Sequence, residues 1–238
     1  MSANELFDTY SIRARQLPAL LLVLPVVFVA ALLFPSLYAT ASNLIGSLGI
    51  SALLLLLVAH ILRQRGRELQ GKLYREWDGP PTTRWLRHSD RELEASTKSR
   101  YHTFLTARIP NLVLPSAEDE TRDRIGSDEK YASGIKWLLE ATRDTLKFPL
   151  VFQENVSYGF RRNLLAAKPL ALAMLFGLMI ITAVVTYSRF ENIDANISLA
   201  WLTIVVFALF WMFIARPVWV KDASESYARA LLAACENV

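Results

Sequence analysis

Four stretches of this chain contain no Asp, Glu, Lys or Arg: Leu17–Ser42, Asn43–Leu62, Pro169–Ser188 and Asn196–Ala215. A helix of about 20 residues rises about 30 Å, the thickness of a bilayer's hydrocarbon core, so each stretch is long enough to span a membrane. A soluble globule of 238 residues has no use for four such runs. Hydrophobic residues make up 53% of the chain, which excludes a disordered protein, and a single cysteine, Cys235, excludes a disulfide scaffold. Ala39-Thr40-Ala41 has the form of a signal-cleavage site. The apolar stretch before it exceeds the roughly 7–15 residues of a signal core and a second run follows at once, so the first run reads as a span.

The first two runs are separated only by Tyr38–Asn43, and the last two by Ser188–Asn196, which carries Arg189, Glu191 and Asp194. This spacing predicts two transmembrane hairpins with a polar segment inserted between them. Lys and Arg near the spans set the orientation. Arg13, Arg15, Arg63, Arg65, Arg67, Lys72, Arg75, Arg161, Arg162, Lys168, Arg216 and Lys221 all flank one side. Both termini and the inserted segment of this multi-pass membrane protein are therefore expected in the cytoplasm.

The inserted segment reads as helical. Leu62, Leu69, Leu73 and Trp77 form a stripe that extends the second span until Gly79-Pro80-Pro81. Ser89-Asp90 is a candidate cap for a helix carrying Leu93, Thr97, Tyr101 and Leu105. Ser116 and Asp119 have capping-box spacing. A further helix is expected over Ser127–Lys147 with Tyr131, Ile135, Leu138, Leu139 and Leu146 inward, and Phe152, Val156, Phe160 and Leu164 lead to the third span. The expected fold is an all-α membrane protein: four transmembrane helices in two hairpins with a helical cytoplasmic domain between them. Its parts are 1–62, the N-terminal segment and first hairpin; 63–168, the cytoplasmic domain; 169–215, the second hairpin; and 216–238, a cytoplasmic tail.

No metal-ligand, nucleotide-loop or nucleophile motif occurs, and His60, His88 and His102 are too scattered to suggest a ligand cluster. The expectation is a protein with no catalytic site, metal or cofactor. Two basic clusters carry the remaining chemistry. The first joins Arg84, Trp85, Arg87, His88 and Arg91 to Arg100, Tyr101 and His102; the second is Tyr158, Arg161 and Arg162. Cations interleaved with rings suit a nucleic acid, the guanidinium fork taking phosphate and the rings stacking bases. Cations outnumber carboxylates ten to six over 63–100 and ten to nine over 101–168. Anionic lipid and the orientation rule account for Arg161 and Arg162 equally well. For Arg84, Arg87 and Arg91, carboxylate partners within the protein are the rival reading. Gly66 and Gly71 after the second span, and Pro169 at the third, are candidate gating hinges, with close packing the alternative for the glycines.

Longer strings carry a resemblance. These are Tyr10–Leu21, Trp77–Asp90, Thr97–His102, Thr142-Arg143-Asp144 with Phe148-Pro149, and Glu154–Asn163 leading to Lys168-Pro169. Together they resemble the membrane effectors encoded beside a nucleotidyltransferase in bacterial antiphage defence, the Hailong type. The resemblance implies a ring homo-oligomer, expected to be a tetramer, forming an ion channel. Its cytoplasmic cap would bind a single-stranded DNA oligomer or nucleotide signal made by the partner nucleotidyltransferase, and occupancy would control gating. The alternative is a non-channel membrane scaffold whose basic domain binds anionic lipid or a protein partner.

Overall fold

The computed structural model describes residues 9–36, 38–40, 48–192 and 194–237, and among them every regular element is helical. The chain divides into two compact units, 1–70 with 159–220 and 71–158 with 221–238. All three crossings, at 70–71, 158–159 and 220–221, fall inside uninterrupted helices.

The first unit holds α1 (Thr9–Leu33), most of α2 (Leu48–Glu76), the C-terminal part of α7 (Pro149–Ser188) and α8 (Ala195–Ile214). Of these, α1, α7 and α8 are long and apolar enough to cross a membrane. The turn expected at 38–43 and the start of the second apolar run fall largely outside the described residues, and that run is helical from Leu48 onward. In α1 a π turn at Ile12–Gln16 brings the Leu17 N–H back to the Ile12 carbonyl, just ahead of Pro18, which has no N–H to give. The helix continues through Pro25 and stops at Leu33, two residues before Pro35, as steric exclusion from the helical region before proline requires. Helix α7 spans 40 residues, about 60 Å at 1.5 Å per residue, twice the hydrocarbon thickness. Only its charge-free end, from Pro169 on, suits a bilayer.

Inside this unit α1 packs along α8, and Leu22, Val29 and Leu33 share a core with Leu175, Ile204 and Trp211. The other faces leave Phe28, Leu53, Phe176, Val184 and Phe213 at least half exposed. Withdrawing each such side chain from water is worth roughly 1.5–3 kcal/mol, so these faces belong against lipid or apolar protein.

The second unit is built from α3 (Pro81–Arg84), α4 (Ala95–Arg108), α5 (Ala117–Arg122), α6 (Arg124–Ala141), most of α9 (Pro217–Ala233) and the ends of α2 and α7. Its core joins Trp85, Leu86, Tyr101, Leu105, Tyr131 and Leu138 to Leu231, Leu232 and Cys235. The segment 216–238, expected as a tail, is therefore largely a structural part of this unit. The stripe through Leu62 and Leu73 extends α2 without a break. At its end the Gly79 N–H reaches the Tyr74 carbonyl at 2.7 Å. Gly79 adopts φ +114°, which a side chain would oppose, and Pro80 blocks further helix.

The capping box forms as its spacing predicts: Ser116 Oγ accepts from the Asp119 N–H at 3.1 Å and Asp119 Oδ2 from the Ser116 N–H at 3.2 Å. Three boundaries differ from expectation, the first being the start of α6, at Arg124 rather than Ser127. Asp90 does not cap α4, because its Oδ1 accepts from the Glu92 N–H inside a loop, and α4 begins only at Ala95. Helix α6 ends at Ala141, six residues short of Lys147, because Asp144 Oδ1 captures the N–H groups of Leu146 and Lys147 in a local turn. Leu146, assigned to the apolar face, is consequently 91% exposed.

Candidate functional site

The second unit carries an open polar cleft of about 480 Å³ beside α4. One side of the cleft is lined by the loop after α3, over 85–94, in which no residue is helical. Side chains from α4 and α5 hold its backbone. Glu120, buried on α5, accepts four hydrogen bonds: from the His88 N–H (2.7 Å), the Ser89 N–H (3.0 Å), Ser89 Oγ (2.6 Å) and the Tyr131 hydroxyl (3.0 Å). Burial pushes its carboxyl up, but these four donors outweigh that and hold it below the usual carboxylate range. The Tyr131 phenol moves the other way, raised by burial and by the Glu120 carboxylate it bonds.

Lys98 on α4 donates to the carbonyls of Arg87 and Asp90, both at 2.5 Å, and is itself buried. Burial lowers its ammonium pKa, with the charges of Asp90 and Glu120 opposing. His102, one turn along, has Nε2 2.8 Å from the Leu86 carbonyl, which makes that nitrogen the donor. Burial is the main cause of its lowered pKa; the Leu86 carbonyl opposes the shift, while His88 and Lys98 add to it. Its ring stacks on Tyr131 and meets His88 edge-on at 5.1 Å.

Below the loop, Arg87 is 4% exposed and fully engaged. Nε and Nη2 each lie 2.7 Å from the two oxygens of Asp128, a bidentate fork, and Nη1 lies 2.9 Å from Asp78 Oδ2, which also pairs with Arg124. Burial lowers the Arg87 pKa, but the hydrogen bonds and charges of Asp128 and Asp78 raise it further, so the net shift is upward. A Cβ on Gly79 would stand 3.0 Å from Nη2, so glycine here admits both the positive φ and the guanidinium.

The residues expected to meet a nucleic acid thus separate into four groups. His88, Arg91 and His102 line the cleft. Trp85, Arg87, Tyr101 and Tyr158 are buried: Trp85 is a core residue with no accessible face, and Tyr158 donates to the Tyr74 hydroxyl. Stacking by Trp85 and phosphate binding by Arg87, as expected from the sequence, are corrected on this ground. Arg84 lies 3.1 Å from Asp90, and Arg100 is exposed but pairs with Glu236 at 2.8 Å. Arg161 and Arg162 lie in the first unit. Arg161 stands over the Trp219 ring and donates to the Trp219 carbonyl; Arg162 donates to Gln70 at 2.6 Å.

Sequence reasoning missed Lys98, Ser99 and Thr103, which line the same cleft. Their signal is helical spacing, since 95, 98, 99, 102 and 103 fall on one face of α4. Arg91 offers a fork for phosphate, and Ser99 and Thr103 offer hydroxyls, Thr103 Oγ1 donating to the Ser99 carbonyl at 2.9 Å and remaining an acceptor. Asp90 and Glu94 also border the cleft, which balances its charge and suits a ligand with donor groups as well as phosphate.

Of the proposed hinges, Gly66 is buried where a Cβ would collide with Asn163 Oδ1, so it is a close-packing position. A Cβ on Gly71 meets only Arg75, at 3.8 Å, and α7 runs through Pro169 without a break. Cys235 is buried and its thiol is pushed up to about 12 by that burial, so it is unreactive. Among the described residues no group of three His, Cys, Asp or Glu side chains is placed to hold a metal ion. No known protein family matches the chain, and no curated protein or solved structure shows significant similarity to it.

Proposed function

We propose that this chain is an inner-membrane effector with four spans in two hairpins and both termini in the cytoplasm. Copies assemble as a ring homo-oligomer, a tetramer in the simplest case, around an ion-conducting pore. Its helical cytoplasmic unit binds a nucleotide signal, a single-stranded DNA oligomer made by a partner nucleotidyltransferase, and occupancy biases gating in antiphage defence. The spans rest on the three apolar helices and the charge-free run from Asn43. The pore and the defence role rest on the resemblance described above.

The observation that carries ligand sensing is the preformed cleft on a locked loop. Its volume of about 480 Å³ lies in the range of small-ligand pockets and takes one nucleotide unit rather than a whole oligomer. Arg91 would take phosphate while Ser99, His102 and Thr103 meet the sugar or base. A ligand shifts gating only by binding one state better than the other, and a tenfold preference is worth about 1.4 kcal/mol.

The test uses the full chain in mild detergent with labelled single-stranded DNA oligomers and mononucleotides. Binding should weaken with salt, with a logarithmic slope of roughly −0.7 per phosphate contact, and Arg91→Ala should flatten that slope by one contact. Bilayer recordings with and without the bound probe report gating. A protein that binds none of these probes and conducts no ions, yet captures acidic vesicles or a protein partner, is the membrane scaffold instead.

A further inference from the structure

Arg15, on α1, and Arg63, on α2, line a second cleft of about 310 Å³, in the first unit. Its other walls include Leu53, Leu56 and Leu57, so the cleft is cationic at one end and apolar at the other. His60 stands between the two ends by sequence, one turn before Arg63. An adjoining cavity shares His60 and Arg63 and adds Arg67 with one carboxylate, Glu68. Among the described residues no carboxylate forms an ion pair with Arg15, Arg63 or Arg67. The polar partner shown for Arg15 is Ser11 Oγ, at 3.1 Å, and its guanidinium covers the Tyr10 ring.

The cations crowd one another. Burial and the charges of Arg15, Arg67 and Arg162 pull the Arg63 guanidinium below its ordinary value, with Tyr10 opposing. Among the described residues the cluster has no carboxylate counter-ion. The helix itself says where the counter-ion comes from. From Leu53 to Leu62 α2 is apolar, with Leu53, Leu54, Leu57 and Ile61 exposed; from Arg63 it carries Arg63, Arg65 and Arg67 on alternate positions. The cleft therefore lies where a bilayer's acyl region gives way to headgroups.

We propose that this cleft is a specific site for one acidic glycerophospholipid, the phosphate held between Arg15 and Arg63 and an acyl chain lying along Leu53, Leu56 and Leu57. A zwitterionic lipid brings its own ammonium next to two guanidinium groups and is disfavoured. A soluble phosphate lacks the chain that the apolar wall receives. The inference rests on the membrane reading of the apolar helices, and not on the channel or the nucleic-acid ligand.

Delipidated full-length protein is titrated with phosphatidylglycerol, phosphatidylcholine or soluble glycerol phosphate, and adducts are counted by native mass spectrometry. Two guanidinium contacts predict a roughly thirtyfold preference for phosphatidylglycerol over phosphatidylcholine. Arg15→Gln with Arg63→Gln should abolish the preference, whereas Arg65→Gln with Arg122→Gln, both exposed, should leave it. Leu56→Trp, which fills the apolar end and keeps both cations, should also weaken binding, and it serves if the double Gln variant does not fold. Equal retention of the two lipids, or competition by glycerol phosphate, overturns the proposal. Alkaline extraction of cell membranes is run in parallel. A chain extracted as a peripheral protein refutes the membrane reading itself, while an embedded chain without lipid preference refutes only the site.

Discussion

Replacing Gly66 and Gly71 by alanine, one at a time, separates packing from flexibility. In an exposed helix interior either change gains about 1 kcal/mol from lost backbone freedom in the unfolded chain. At Gly71 that gain should be realised, because the new methyl makes only an ordinary contact with Arg75. At Gly66 the methyl collides with Asn163 Oδ1 and stands 3.2 Å from Asn163 Cγ. Asn163 is 1% exposed; its Nδ2 donates to the Ala14 carbonyl at 2.7 Å and its Oδ1 faces the Arg162 guanidinium at 3.3–3.4 Å. Displacing this amide leaves a buried donor and acceptor unpaired, a loss of about 1–3 kcal/mol. The two variants should therefore differ by about 1–3 kcal/mol with Gly66→Ala the weaker, or several degrees in midpoint at about 2–4 °C per kcal/mol. The assay is the fraction of monodisperse protein left after stepwise heating in detergent. Adding Asn163→Ala should remove most of the Gly66→Ala penalty. A Gly66→Ala protein as heat-resistant as Gly71→Ala would refute the packing argument and return Gly66 to the hinge.

Arg87→Met should destabilise the second unit by about 3 kcal/mol, the low end for breaking a buried pair, because Asp78 and Asp128 are partly exposed and can rehydrate; a folded Arg87→Met protein with an unchanged midpoint would contradict this. Glu120 has a folded pKa below its unfolded value, so its contribution is complete above about pH 4.3 and is lost as pH falls through the folded value. Glu120→Gln, which replaces an acceptor oxygen by a donor among four donors, should be less stable at pH 7 and lose that acid-range slope in pH-dependent melting. His102 also has a folded pKa below its unfolded value. Its contribution is complete above about pH 6.5 and declines as pH falls towards the folded value, and His102→Gln should flatten melting between pH 7 and 5. In a Cys235→Ala background, a cysteine at Arg189 should react with an impermeant thiol reagent from the periplasm and one at Glu118 should not; the reverse pattern would invert the topology.

The features legible in the sequence are those set by neighbours along the chain. Absence of charge over 20 residues is a local property, and so are a Ser-x-x-Asp box at 116–119 and a Gly-Pro stop at 79–80. The box and the stop fall there in the structure, and among the described residues three of the four charge-free runs lie in helices long and apolar enough to cross a membrane. The polar face of α4 is equally local, but Tyr101 and Leu105 make the apolar face of the same helix the stronger signal.

Which cations reach water was decided by tertiary structure. Arg84-Trp85-Leu86-Arg87-His88 has the composition of a surface that grips phosphate and base, yet Trp85 and Arg87 are inside. Arg87 is buried because carboxylates 9 and 41 residues away converge on it, and no pattern near Arg87 announces Asp128. The C-terminal segment is the same case. Ala228, Leu231, Leu232 and Cys235 are too few and too close to the chain end to suggest a core, but they complete one with Trp85, Tyr101 and Leu138. Helix and turn propensities act over a few residues and can be read in order. Pairing and burial depend on contacts between distant residues, so only the folded chain distinguishes an arginine awaiting a ligand from one already bound to its own aspartates.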